Sequence, residues 1–131
     1  MTFIQKTTLL LSLLFLTSCE NFYSSSIVNN SNAEIIVKVK RDQKAIEEKR
    51  KEYIQKGYRV DKEIAEDYEV KIARSESYEL AGRLHIKPDF YDIKEIEIYS
   101  QDTLILKCKK DQMQKLFSKE SSPGNFDLII N

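Results

Sequence analysis

Apolar and polar residues alternate along most of this chain, and the places where the alternation fails mark its turns and helices. In 34–40, Ile35, Val37 and Val39 fall on one side and Glu34, Lys38 and Lys40 on the other, the period-two pattern of a half-buried strand. Ile36 interrupts the polar side. Upstream, Ile27-Val28 followed by Asn29-Asn30-Ser31-Asn32 predicts a first hairpin with this strand, the asparagines supplying positive φ in the turn. From Asp42 to Gly57 the period lengthens. Asp42 is suited to cap a helix, Ala45, Ile46, Tyr53 and Ile54 share one side of it, and Gly57 stands where it would stop. Glu47 with Lys51 and Glu52 with Lys56 are spaced four apart in the favourable order, each pair contributing about 0.2–0.5 kcal/mol. The apolar stripe is narrow, so the helix is expected to lie on a surface, inserted between two strands.

Beyond Gly57, Tyr58, Val60 and Ile64 predict a further strand region, and Tyr68, Val70 and Ile72 share one face of the next. Arg74-Ser75-Glu76 is a polar corner. Tyr78, Leu80, Gly82, Leu84 and Ile86 then fall on a single side of a long strand, with Gly82 as its bend or bulge, and Pro88 ends it. Ile96 and Ile98, the turn Ser100-Gln101-Asp102, and Leu104, Leu106 and Cys108 predict a hairpin. Residues 111–117 have helical composition, with Met113, Leu116 and Phe117 spaced to pack, and a last strand places Phe126, Leu128 and Ile130 together. Six to eight short strands with frequent turns point to a mainly β domain, a small antiparallel β-sandwich or open barrel with one inserted surface helix and a short C-terminal helix.

The first residues follow a different rule. Lys6 precedes an apolar run, 9–16, interrupted by Ser12 alone. The run is shorter than the ~20 residues a spanning helix needs and suits the hydrophobic region of a secretory signal. It closes on Leu16-Thr17-Ser18-Cys19, which resembles the lipobox of bacterial lipoproteins: a branched apolar residue, two small ones and a cysteine. The resemblance implies cleavage between Ser18 and Cys19, lipidation of the Cys19 thiol with a diacylglyceryl group, and further acylation of the new amino terminus. Residues 1–18 would then be a cleaved signal peptide, 19–26 a serine-rich lipidated tether, and 27–131 a single domain. It further implies a cell-envelope protein held to a membrane by lipid without spanning it. By analogy with lipoprotein sorting in Gram-negative bacteria, Glu20 rather than aspartate after the cysteine favours the outer membrane over the inner, at its periplasmic or surface face. Over 27–39 and 72–98 the pattern also resembles the small immunoglobulin-like or transthyretin-like domains of envelope lipoproteins, a likeness that implies no activity.

Charge and chemistry narrow the function. The chain carries 21 basic and 21 acidic residues, and Lys6 is the one charge in 1–18. A near-neutral domain with no long block of one sign gives no support to nucleic-acid binding. With Cys19 committed to lipid, Cys108 has no disulfide partner; its parity with Leu104 and Leu106 places it inward as a small hydrophobe. His85 is the single histidine and falls on a polar face, so no metal or cofactor site is expected. Asp89 and Asp92 could meet as a carboxylate pair, but 87–92 lacks the ligand spacing of a calcium loop. No nucleophile motif or phosphate-binding glycine loop is present, and the expectation is a protein that is not an enzyme.

Tyrosine is the abundant aromatic. Tyr68 and Tyr78 follow the inward parity, whereas Tyr99 follows Glu95 and Glu97 outward, Tyr91 sits in a loop and Tyr53 lies on the helix. Tyr91, Tyr99 and Tyr53 are therefore the candidate partner surface. The expected role is a structural or protein-interaction domain binding another envelope or secreted protein. The alternative is an inhibitor or immunity lipoprotein that blocks a toxin or hydrolase through a protruding loop at 87–92 or an acidic groove.

Overall fold

Nine short strands and two helices follow one another in the computed structural model, which describes residues 21–131. They are β1 (Phe22–Asn29), β2 (Ile35–Arg41), α1 (Gln43–Gln55), β3 (Tyr68–Ile72), β4 (Ser77–Leu84), β5 (Ile93–Ser100), β6 (Thr103–Lys109), α2 (Lys110–Leu116), β7 (Glu120–Ser122), β8 (Asn125–Phe126) and β9 (Leu128–Ile130). The expected cleavage and lipidation positions, Ser18 and Cys19, lie outside the described residues.

The strands form two sheets. One runs β4-β1-β8-β7, with β9 also on β1; the other runs β3-β2-β5-β6. Every pairing is antiparallel except those of β1 with β8 and β9, and neither sheet closes into a barrel. The fold is a small β-sandwich. Ile27 and Ile130 from the first sheet and Ile35, Val37, Ile96 and Ile98 from the second are buried in one core. Burial on this scale, about 25 cal/mol per Å² of apolar surface, holds the two sheets face to face.

The expected hairpin between 27–28 and 34–40 does not form: β1 and β2 lie in different sheets, and 30–34 arches from one to the other. The arch is organised by Asn29, a wholly buried polar side chain. Its Nδ2 donates to the carbonyls of Ala33 (2.8 Å) and Ile72 (2.9 Å), and its Oδ1 accepts from the Ser31 amide (3.0 Å) and hydroxyl (2.6 Å). A hairpin turn would need none of this. Residues 22–26, expected in the tether, instead form the first half of β1 and pair with β4.

Two bulges shift the parity that alternation alone would carry through a strand. In β4, Ala81 faces Ser25 and Glu79 faces Ser26, so Leu80 is the extra residue. Ahead of it Tyr78 points inward as expected. Past it Leu84 is 52% exposed, and Ile86, beyond the strand, is 50% exposed, although both were expected on the inner side. In β6, Leu106 faces Ile98 but Leu104 faces Tyr99, so Ile105 is extra and Leu104 turns outward while Cys108 stays buried. The predicted strand over 58–64 is absent: this segment is irregular, the Arg41 side chain pairs with Glu63 in it (3.3 Å), and the Arg41 amide donates to Asp67 just beyond it (2.8 Å).

Both helices lie where expected. Asp42 caps α1 by accepting from the Ala45 amide (3.0 Å). At the other end Gly57, at φ +88°, lets the Gly57 amide donate to Ile54 and the Tyr58 amide donate to Tyr53, both at 3.0 Å, the paired closure of a Schellman stop. Ile46 is the one buried residue of α1, so the helix is a surface element, while α2 buries Met113 fully and is followed by buried Phe117. Of the expected helical pairs, Glu52–Lys56 forms (2.9 Å), but Glu47 engages Arg50 (3.1 Å) rather than Lys51. Among the described residues no helix is long and apolar enough to cross a membrane.

Candidate functional site

The C-terminal half of α1 and the loop 87–92 bring two of the three expected tyrosines together. Lys49 on α1 is the pivot: its Nζ lies 5.7 Å from the ring centroid of Tyr53 and 5.8 Å from that of Tyr91. Tyr58 stands edge-on to Tyr53 at 5.9 Å, the contact that the Schellman closure sets up between its last residue and the helix's final turn. Beside this cluster runs a groove of about 330 Å³ whose lining includes Tyr53, Gly82, Arg83, Asp89 and Tyr91.

The groove wall is held rigidly. Phe90 is buried and packs on Phe117 with ring centroids 5.2 Å apart. The Tyr91 carbonyl accepts from Lys110 Nζ (2.6 Å), and the same ammonium pairs with Asp42. The Asp92 carbonyl accepts from the Asp42 amide (2.9 Å), and Arg41 reaches the Asp92 carboxylate (3.5 Å). Loop 87–92 is thus anchored inward rather than protruding. Asp89 pairs with Arg83 (3.4 Å), so the two carboxylates considered as a pair each engage their own arginine. Burial, then the nearby carboxylates, raise the Tyr91 phenol above its ordinary value, which keeps it a neutral hydrogen-bond donor.

Tyr99 belongs elsewhere. It lies near the opposite end of β5, facing Ile36, on the outer side of the second sheet. Its hydroxyl donates to the Glu97 carboxylate, its ring sits under Lys38 Nζ (4.9 Å), and Lys40 bridges Glu95 (3.0 Å) and Glu97 (3.3 Å). The Tyr99 hydrogen bond, then Lys40, bring the Glu97 carboxyl down to about 2, and the same bond raises the Tyr99 phenol. This side chain is committed to a network within its own sheet. His85 is exposed, with φ +68° and its amide donating to the Asn21 carbonyl (2.8 Å). Cys108 is buried, and desolvation raises its thiol pKa, which favours the inert protonated form. Among the described residues no group of three or more His, Cys, Asp or Glu side chains converges as a metal site would require.

No protein-family model, curated protein or solved structure matches this chain. The surface must therefore be judged on its geometry. The sequence pointed to Tyr53 and Tyr91 but not to Lys49, Tyr58 or Arg83. Gly57 was the usable signal for Tyr58, since a glycine just past a helix fixes which residue folds back on the last turn. Arg83 reaches the groove because the bulge at Leu80 reverses the side of the strand it occupies.

Proposed function

We propose that this protein is a membrane-tethered lipoprotein of the cell envelope whose β domain acts as a protein-interaction module. The observation that carries the reading is Leu16-Thr17-Ser18-Cys19, placed directly after a charged and then apolar leader and two residues ahead of Asn21. Removal of 1–18 leaves Cys19 as the first residue, and two or more acyl chains on it give stable anchoring where one is marginal. The outer membrane is the preferred location. For the domain, the groove between α1 and 87–92 supports recognition: it offers tyrosine rings and an arginine, residue types enriched where proteins meet, on a rigid wall. The inhibitor reading called for a protruding loop at 87–92 or an acidic groove, and the anchoring of Phe90 removes support from the first of these.

Two experiments test the two halves. Cys19→Ala should abolish incorporation of labelled fatty acid and release the protein from membranes; persistent labelling of that variant removes the lipoprotein reading. A photo-crosslinking amino acid at Tyr91 should capture a discrete envelope partner in living cells and the same residue at Tyr99 should not. Equal capture from both positions refutes the groove as the binding face, and capture of a secreted hydrolase or toxin at Tyr91 replaces the resident-partner reading with the inhibitor one.

A further inference from the structure

Phe22, Leu84 and Ile86 form an exposed apolar rim on the first sheet. Phe22 and Leu84 face each other across β1 and β4, so their side chains share one face, and Ile86 follows just beyond the strand. They are 50%, 52% and 50% exposed. The ring of Phe22 lies over Gly82, where the Glu79 carboxylate borders the apolar patch. About half of each side chain's surface is left for something else to cover.

Their position in the chain says what does. The Asn21 carbonyl accepts from the His85 amide (2.8 Å), so the ordered domain is already hydrogen-bonded at Asn21. Two residues of chain reach at most ~7 Å, which sets the greatest distance between the Cα atoms of Cys19 and Asn21. The expected tether of 19–26 is therefore shortened to its first residues, and a lipid on Cys19 holds this edge of the sheet against the bilayer. We propose that Phe22, Leu84 and Ile86 are a membrane-docking face, seated in the headgroup and upper acyl region of the bilayer. The inference rests on the acylation of Cys19 proposed above. It gives the domain a fixed orientation: the rim lies in the lipid, and the arch at 30–34 and the β5–β6 turn, at the far ends of the sheets, point away. Val28 pairs with Ile129 six residues along β1 from Phe22, about 20 Å at ~3.3 Å per strand residue.

The chain contains no tryptophan, so a single one reports its own surroundings. Full-length Leu84→Trp, Phe22→Trp and Ile129→Trp variants would be expressed in a bacterium, purified from its membranes, and reconstituted in phosphatidylethanolamine–phosphatidylglycerol vesicles carrying acyl-brominated lipid. Mass spectrometry of the amino-terminal peptide reports acylation of Cys19 in the same samples. An interfacial face sits ~5–10 Å into the headgroup and acyl boundary, so quenching at 84 and 22 should be roughly twofold or more stronger than at 129. With two placements in the rim, misfolding of one variant leaves the other to decide. Acylated protein with equal quenching at 84 and 129, or with none, overturns the docking face while the anchoring stands. Blue-shifted but unquenched emission from the Leu84→Trp variant shows a protein cover, such as a second copy, and overturns it too. Unmodified Cys19, or a leader still attached, overturns the anchoring reading and the docking face with it.

Discussion

Asn29 is the residue on which the crossing between the two sheets depends, and Asn29→Ala tests that dependence. The substitution removes four side-chain hydrogen bonds, of which the one to the Ile72 carbonyl is buried and the other three are half-buried. A buried group left without its partner costs about 1–3 kcal/mol, and bonds that water can replace cost less. The Ala33 carbonyl keeps the Ser31 hydroxyl (2.9 Å), so it adds little. Together the loss comes to about 2–4 kcal/mol, a large part of the ~5–15 kcal/mol that holds a small domain folded. The assay is urea unfolding of the chain lacking 1–20, followed by circular dichroism. At a slope of ~2 kcal/mol per molar urea, the midpoint should fall by about 1–2 M. Asn29→Asp separates hydrogen bonding from packing. It keeps the volume and the acceptor but loses both donors and sets a carboxylate against two carbonyls, so it should destabilise at least as much as alanine. A midpoint within about 0.3 M of the parent for either variant would mean that the arch closes without these donors.

Other consequences can be checked on the same domain. Asp42 has its carboxyl pulled below the ordinary 3.8, first by Lys110 and then by the Ala45 amide, so its stabilisation is present above that value and is lost as pH falls through the lower folded one. Asp42→Asn keeps the helix cap but loses the charge, and should cost about 1 kcal/mol or less at neutral pH, a gap that narrows in urea melts as the pH falls below the ordinary carboxylate value. Cys108 should react slowly with a thiol reagent until urea unfolds the domain; fast modification of native protein would mean that the β6 register is wrong. Gly124 sits at φ +80°, and a Cβ there would lie 2.6 Å from the Phe22 carbonyl oxygen, so Gly124→Ala should cost about 2 kcal/mol or more. Gly82→Ala should cost less than Gly124→Ala in thermal melts, because the atoms it meets are the ends of the Phe22 and Glu79 side chains, which can move.

The candidate groove shows how far local pattern reaches. Tyr53, on a helix, and Tyr91, in a loop, could be picked out as candidate surface aromatics, but their convergence on Lys49 depends on where α1 and 87–92 settle against each other, which no spacing along the chain encodes. Tyr99, expected outward by its parity with Glu95 and Glu97, is tied to Glu97 on its own strand and to Lys38 on the next, because these neighbours happen to complete its bonding.

Features settled over a few residues are written in the amino-acid order. They include the cap at Asp42, the stop at Gly57, and the β5–β6 hairpin, whose Gln101 and Asp102 both take positive φ. The apolar run ahead of Cys19 is of the same kind. Which strands share a sheet, where the bulges fall, and that 22–26 is strand and not tether emerge only with the packed domain. The reason is physical. Alternation records only the relative side of neighbouring residues, so one extra residue at Leu80 or Ile105 reverses everything beyond it. β1 takes its partners from 77–84 and from 125–130, and contacts that distant are chosen by the whole core. The apolar rim of Phe22, Leu84 and Ile86 came into view only once those partners were in place.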